Sequence, residues 1–245
     1  MIKTAIIDSN IQGFMYINTL LKNDPNIDYI FFHDTRISSL NENEKLFRRL
    51  KKCIRFLKSK GVTTIIITDC KVCSLVLDKL KQEFIDIQFI DWISLFAKNI
   101  VLLNKKRILV CTDEMTAIQC RFKREIRNLD RTILVEQKSL SPLENLLLEI
   151  KNLSFVKSYL DSSLYCYKGK IDLVLLGNSA YSEYKELFLQ FFGCEVEDGS
   201  HLLESAWFDS SAQQYAFTTG DINQAKVQIQ KRFKKDIIID EIKLD

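Results

Sequence analysis

Short runs of β-branched and aliphatic residues recur along this chain of 245 residues, each ending in a polar cluster and followed by a helical apolar spacing. Thr64-Ile65-Ile66-Ile67 shows it most clearly: the run stops at Thr68-Asp69-Cys70-Lys71-Val72-Cys73-Ser74, and Val76, Leu77 and Leu80 then fall at helical intervals. A strand that is apolar on both faces needs helices on both faces, and a parallel sheet provides that. Further strands are expected at Lys3–Ile7, Tyr29–Phe32, Ile87–Ile90, Arg107–Val110, Ile133–Val135, Asp172–Leu176, Cys194–Val196, Tyr215–Phe217 and Ile237–Ile239. Helical patterns cover Glu44–Lys60, Asp91–Leu103, Glu114–Arg127, Pro142–Leu160, Tyr181–Phe192, His201–Phe208 and Gln224–Phe233. Strand–helix alternation of this kind specifies an α/β fold with parallel sheets.

The pattern starts afresh near Arg107, and each half has an early polar strand end (Asp8-Ser9; Cys111-Thr112) and a later one (Cys70; Asn178). The expected architecture is therefore two pseudo-symmetric parallel-sheet α/β lobes facing an interdomain cleft. Residues 1–93 with 209–245 form the first lobe and 94–208 the second, the C-terminal strand patterns returning to complete the first sheet.

Composition removes several classes of function. Thirty-five Lys and Arg against thirty-two Asp and Glu leave +3, which gives no electrostatic footprint for nucleic acid. The basic runs Arg48–Lys52 and Lys231–Lys235 lie on helical patterns and read as solvated faces. Charges interrupt every apolar run before the ~20 residues that a membrane span requires. Met1-Ile2-Lys3-Thr4 leads straight into a strand, so no secretory leader is expected and the chain reads as cytoplasmic. In that setting the seven cysteines are expected to be reduced. Cys53, Cys111, Cys120, Cys166 and Cys194 read as small buried hydrophobes. His33 and His201 lack partners at metal-ligand spacing, so no zinc or other metal site is expected.

Candidate chemistry sits at the strand ends. In an open α/β sheet, ligands collect at the carboxyl side of the strands, and a cysteine opening a helix there has its thiolate favoured by the helix dipole. Cys70 meets that description, and it reads equally well as a partly buried inert thiol. Asp8 and Ser9 are either ligand groups or caps of the next helix. Lys71 either binds an anion or fills the site by pairing with Asp8 or Glu136. Cys70-Lys71-Val72-Cys73 also has the spacing of a redox dithiol.

Taken in order, these segments resemble the glutamate racemases of the cofactor-independent Asp/Glu racemase superfamily. Asp8-Ser9-Asn10 is similar to the family's Asp-Ser-Gly, and His33-Asp34-Thr35-Arg36 to its Gly-Asp-Thr-Ala-Arg. Asp69-Cys70-Lys71-Val72-Cys73-Ser74 matches Ala-Cys-Asn-Thr-Ala-Ser, which sets Cys70 on the first catalytic cysteine. Leu134-Val135-Glu136 falls on its Val-Glu, Leu176-Gly177-Asn178-Ser179-Ala180-Tyr181 on Leu-Gly-Cys-Thr-His-Tyr, and Phe217-Thr218-Thr219-Gly220-Asp221 on Tyr-Thr-Thr-Gly-Asp. The resemblance implies remnant catalytic positions at Cys70, Asp8 and Glu136, and substrate-binding positions at Ser9, Lys71, Thr112, Thr116 and Ser179. It also implies a small dicarboxylic amino acid or other anion as ligand, and a homodimer.

The departures fall where the chemistry belongs. Asn178 stands for the second cysteine, Ala180 for the histidine, and Lys71-Val72 for the Asn-Thr pair that holds the substrate carboxylate. The family's Pro-Tyr-Gly becomes Ser38-Ser39-Leu40. A carboxamide neither holds nor releases a proton near neutral pH. The expectation is a racemase-like protein that has lost two-cysteine racemisation and serves a binding or structural role. The alternative is an isomerase-family enzyme using one-cysteine proton transfer at Cys70.

Overall fold

A computed structural model describes residues 2–143 and 153–244. The chain divides into two compact units, 1–92 with 200–245, and 93–199. Both are α/β with wholly parallel sheets.

The first unit contains β1 (Thr4–Asp8), α1 (Phe14–Asn23), β2 (Tyr29–His33), a helical turn α2 (Arg36–Ser39), α3 (Asn43–Ser59), β3 (Thr64–Ile67), α4 (Cys70–Leu75), α5 (Leu77–Glu83) and β4 (Gln88–Asp91). Its sheet has the order β10-β9-β2-β1-β3-β4, where β9 is Gln214–Thr218 and β10 is Ile239–Glu241. The C-terminal segment therefore returns to the first sheet. Every residue of β1 and β2 is buried, as their apolar runs require. Helix α3 turns Leu46, Leu50, Cys53, Ile54 and Leu57 inward at helical spacing. Arg49 is buried beside them at 7% exposure, which corrects the reading of Arg48–Lys52 as uniformly solvated.

From β1 the chain crosses to β2 on one side, then over to β3 on the other. That makes β1 a topological switch point, with the crevice at its carboxyl end. Asp8, Thr68 and Cys70 lie at this end of the sheet.

The second unit contains the helix α6 (Trp92–Leu102, its first residue in the first unit), β5 (Arg107–Thr112), α7 (Glu114–Gln119), α8 (Arg121–Leu129), β6 (Leu134–Ser139), α9 (Leu153–Leu164), β7 (Leu173–Leu176), α10 (Lys185–Phe192) and β8 (Glu195–Glu197). The sheet order β6-β5-β7-β8 makes β5 its switch point. The core beneath the sheet gathers Leu109, Cys111, Leu140, Leu160, Val174, Leu176 and Phe188.

Several expectations are corrected. The single helix over Glu114–Arg127 is broken by Cys120, whose φ of 50° is left-handed and ends α7. Cys120 and Cys166 are exposed and Cys194 is half-buried, so only Cys53 and Cys111 of the five are buried hydrophobes. No helix forms over His201–Phe208, where Ser205–Trp207 makes one 3-10 turn. That segment is bonded to the first unit instead: Thr4 donates to the Trp207 carbonyl, and the Asp28 amide donates to the Asp209 carbonyl at 2.7 Å. The Asp28 carboxylate accepts from the Ser211 and Gln213 amides, both at 2.8 Å. The helix expected over Pro142–Leu160 falls partly outside the described residues, and its stretch from Leu153 onward lies in α9. The last strand lies two residues later than the sequence pattern suggests. Among the described residues, no helix is long and apolar enough to cross a membrane.

Candidate functional site

At the carboxyl edge of the first sheet, Asp8 ends β1, His33 ends β2 and Thr218 ends β9, in register with one another. The Asp8 carboxylate accepts from the Asn10 amide at 2.8 Å and from the Thr68 hydroxyl at 2.6 Å. This carboxylate packs against Gly13, where an added Cβ would lie 2.6 Å from the Asp8 Cβ, so no larger residue fits without a shift. The Asp8 carboxyl is thus held on the sheet edge by its neighbours.

Asp69 is the N-cap of α4 and accepts from the Val72 amide at 2.9 Å. Its second oxygen takes the Ser9 hydroxyl. Asp69 stands where the resemblance has alanine, so the Ser9 hydroxyl of this chain is already engaged by a carboxylate. That carboxylate also places negative charge at the positive end of α4, the helix that Cys70 opens. Cys70 is 5% exposed, with Sγ 3.8 Å from the Thr68 carbonyl oxygen. Cys73 is buried on the same helix, its Sγ 3.2 Å from the Ile67 carbonyl oxygen, and neither cysteine is in a disulfide. Lys71 is 7% exposed and donates to the Ser38 carbonyl at 2.7 Å rather than pairing with Asp8.

Beside this cluster, the fully buried Asp34 accepts from Arg49 Nε at 2.7 Å and Nη2 at 3.0 Å. The Thr219 hydroxyl adds a bond at 2.7 Å and the Cys53 thiol one at 3.2 Å. Burial alone would raise the Asp34 pKa, but the hydrogen bonds from Arg49 and Thr219 and the Arg49 charge hold it below the ordinary carboxylate range. Burial, and then the Asp34 charge, push the Cys53 thiol up. His33 is held neutral: burial lowers its pKa to about 4, outweighing the attraction of Asp34 and a main-chain hydrogen bond at Ser9. Its Nδ1 lies 3.0 Å from the Thr218 hydroxyl.

In the second unit, Asp113 caps α7 by accepting from the Thr116 amide at 2.9 Å and from the Thr116 hydroxyl. Thr112 is fully buried and donates to the Asp113 carbonyl at 3.0 Å. Gly177 lets β7 approach closely, since a Cβ there would meet Thr112 Cγ2 at 2.7 Å and Phe122 Cε2 at 2.9 Å. Asn178 follows, and its side-chain oxygen accepts from the Ala180 amide at 2.9 Å. Ser179 is buried, and Ala180 belongs to the apolar core with Tyr181. Thr112, Thr116, Asn178 and Ser179 thus share the carboxyl end of this sheet.

Glu136 does not join them. It sits in mid-strand, paired in register with Leu109 and exposed to solvent. The strand runs on to Ser139, three residues or roughly 10 Å further. As an edge strand, β6 has polar residues facing outward, which is why its second half looks like a loop in the sequence. Sequence reasoning missed Asp69 as the partner of Ser9, Thr68 as the partner of Asp8, and the Asp34–Arg49 pair. Only the Asp69 cap has a local signal, an aspartate just before a helical spacing.

No family model matches the chain. A glutamate racemase of Aquifex aeolicus is 26% identical over 204 residues, covering 81% of this chain and 79% of that one. Among solved structures, the glutamate racemase isoform RacE1 of Bacillus anthracis superposes with a TM-score of 0.87 at 16% identity, covering 99% of this chain and 97% of that one. A glutamate racemase of Francisella tularensis, solved in complex with D-glutamate, gives a TM-score of 0.80 at 18% identity, covering 99% and 98%.

Proposed function

We propose that this chain, a divergent member of the glutamate racemase family, does not racemise amino acids by a two-thiol route and keeps a carboxyl-edge site for a small organic acid. The observation that carries this reading is Asn178. It occupies the position that the resemblance gives to the second thiol, and its side-chain oxygen is committed to the Ala180 amide. Cofactor-free racemisation needs a base on one face of the Cα and an acid on the other. A carboxamide supplies neither, and Ala180, buried in the core where the resemblance has histidine, supplies no substitute. The engagement of Ser9 by Asp69 works in the same direction. The D-glutamate bound by the Francisella relative supports a small amino acid as the ligand.

One observation favours a second reading, proton abstraction by Cys70 alone. The Thr68 hydroxyl bonds Asp8, and the Thr68 carbonyl faces the Cys70 thiol, so a carboxylate and a thiol share one residue at the sheet edge. Chiral chromatography separates the principal reading from racemisation. After prolonged incubation with L- or D-glutamate, or with L- or D-aspartate, no mirror enantiomer accumulates above the level of a Cys70→Ala control. Cys70-dependent appearance of the mirror enantiomer would sink the proposal.

A further inference from the structure

We propose that the outward face of α8 is a docking surface for an acidic segment of another protein, a role separate from the carboxyl-edge site. Lys123, Arg124, Arg127 and Arg131, with Cys120 and Asn128, line a groove of about 490 Å³ in the second unit. Residues three and four apart lie on one side of a helix, so this spacing gathers them into a single stripe. The stripe runs the length of α8, roughly 14 Å at 1.5 Å per residue, and Arg131 extends it just past the helix. Arg124, Arg127 and Arg131 are exposed and Lys123 is half-buried. No carboxylate lines the groove. Among the described residues, none of the four cations has a carboxylate within ion-pair distance.

Local stability does not account for this arrangement. Lys123 and Arg127 are four residues apart on α8, where like charges repel. Lys123 and Arg124 also lie in the first turn, at the positive end of the helix dipole, and that turn holds no acidic residue. The groove beside the helix Ile222–Phe233 differs: Lys231, Lys234 and Lys235 gather at the helix's C-terminal end, where the dipole favours cations, and Asp236 shares the lining. Charge complementarity selects the occupant of the α8 face. Three of its four cations are arginines, whose planar guanidinium groups take carboxylates two hydrogen bonds at a time. At about 3.3 Å per residue, an extended acidic segment of four or so residues matches the stripe in length. The stripe is also narrow. Glu125 and Asp130 lie beside it in the same segment, engaged with Arg121 at 3.7 Å and with Lys106 at 3.1 Å. A nucleic acid or a membrane would spread onto those carboxylates, and a net charge of +3 provides no wider field to hold it. A second copy presenting the same face would set like charge against like.

Fluorescence anisotropy on the full chain tests this, with a dye-labelled hexaglutamate peptide as the probe. The peptide binds the unmodified protein, and more weakly as salt rises. Arg124→Glu with Arg127→Glu weakens binding at least tenfold. Lys231→Glu with Lys235→Glu makes the same change of charge on the first unit and weakens binding less than twofold. Arg124→Gln with Arg127→Gln, which removes the charge without reversing it, falls between them. Both arginines are exposed, so the variants keep the fold, which thermal unfolding checks. Absence of peptide binding to the unmodified protein overturns the proposal. Equal losses in the two charge-reversed proteins also overturn it, because net charge alone would then carry the binding. Tighter binding of a short single-stranded DNA, or of phosphatidylglycerol vesicles, than of the peptide overturns the assignment to an acidic protein segment.

Discussion

Arg49→Met lowers the stability of the chain by about 3–5 kcal/mol, read from urea unfolding at neutral pH, the range found when one partner of a buried ion pair is removed. Asp34 is fully buried and Arg49 is 7% exposed, so methionine leaves the carboxylate uncompensated in a site that water does not reach. The pair is bidentate, and Arg49 Nη1 also donates to the Leu244 carbonyl at 2.9 Å, so the change further releases the end of the chain from α3. An exposed pair such as Lys3 with Asp209 has no comparable effect, because both partners keep their hydration when the other is lost. Combining Arg49→Met with Asp34→Leu recovers only part of the loss. The Thr219 hydroxyl and the Cys53 thiol would then lack the acceptor they now share. An Arg49→Met protein within about 1 kcal/mol of the original would contradict this account of the network.

Acidification weakens the first unit through His33 before it reaches the carboxylates. The folded-state pKa of about 4 lies below the ordinary value of 6.5, because burial favours the neutral ring. The unfolded chain therefore binds a proton at His33 that the folded chain refuses. Above pH 6.5 the group contributes no pH dependence. As the pH falls from 6.5 to about 4, stability drops with a slope approaching 1.4 kcal/mol per unit, on the order of 3 kcal/mol in all. Asp34 acts lower on the scale. Its pKa is depressed by Arg49 and Thr219 against the effect of burial, so its contribution is lost only as the pH falls below the ordinary carboxylate value and through its folded one. His33→Asn, which keeps a polar partner for Thr218, flattens the curve between pH 6.5 and 5 and leaves the steeper loss below pH 4 in place. A variant whose acid curve overlays that of the original would show that another group carries the dependence.

What the sequence disclosed and what it hid divide along physical lines. Strands such as β1, β3 and β7 are legible because they are buried on both faces, and an apolar run bounded by polar residues has few other homes in a chain of this composition. Their order carries the resemblance, and the α/β architecture with two parallel sheets follows from it. Edge strands are harder: β6 looks two or three residues long because its outer half is polar, and that misplaced Glu136 at a strand end. Pairs formed across the fold leave no local trace. Ser9 meets Asp69 sixty residues away, and a charge on an unremarkable residue decides whether the serine hydroxyl is free. Arg49 shows how a basic run misleads. Its neighbours Arg48 and Lys52 are exposed, but Arg49 follows Leu46 by three residues and precedes Cys53 by four, which sets it on the inward stripe opposite Asp34.

The central claim, that this racemase-fold chain has lost two-thiol chemistry, is tested most directly by proton exchange at the substrate Cα. L- and D-glutamate are incubated separately with the protein in heavy water, and the Hα signal is followed by proton NMR with a Cys70→Ala control. The account predicts no enantiomer interconversion, and any deuterium incorporation confined to one enantiomer and dependent on Cys70. Cys70-dependent exchange of both enantiomers, with each giving rise to the other, would contradict it, because a second acid–base group would then be doing what Asn178 cannot.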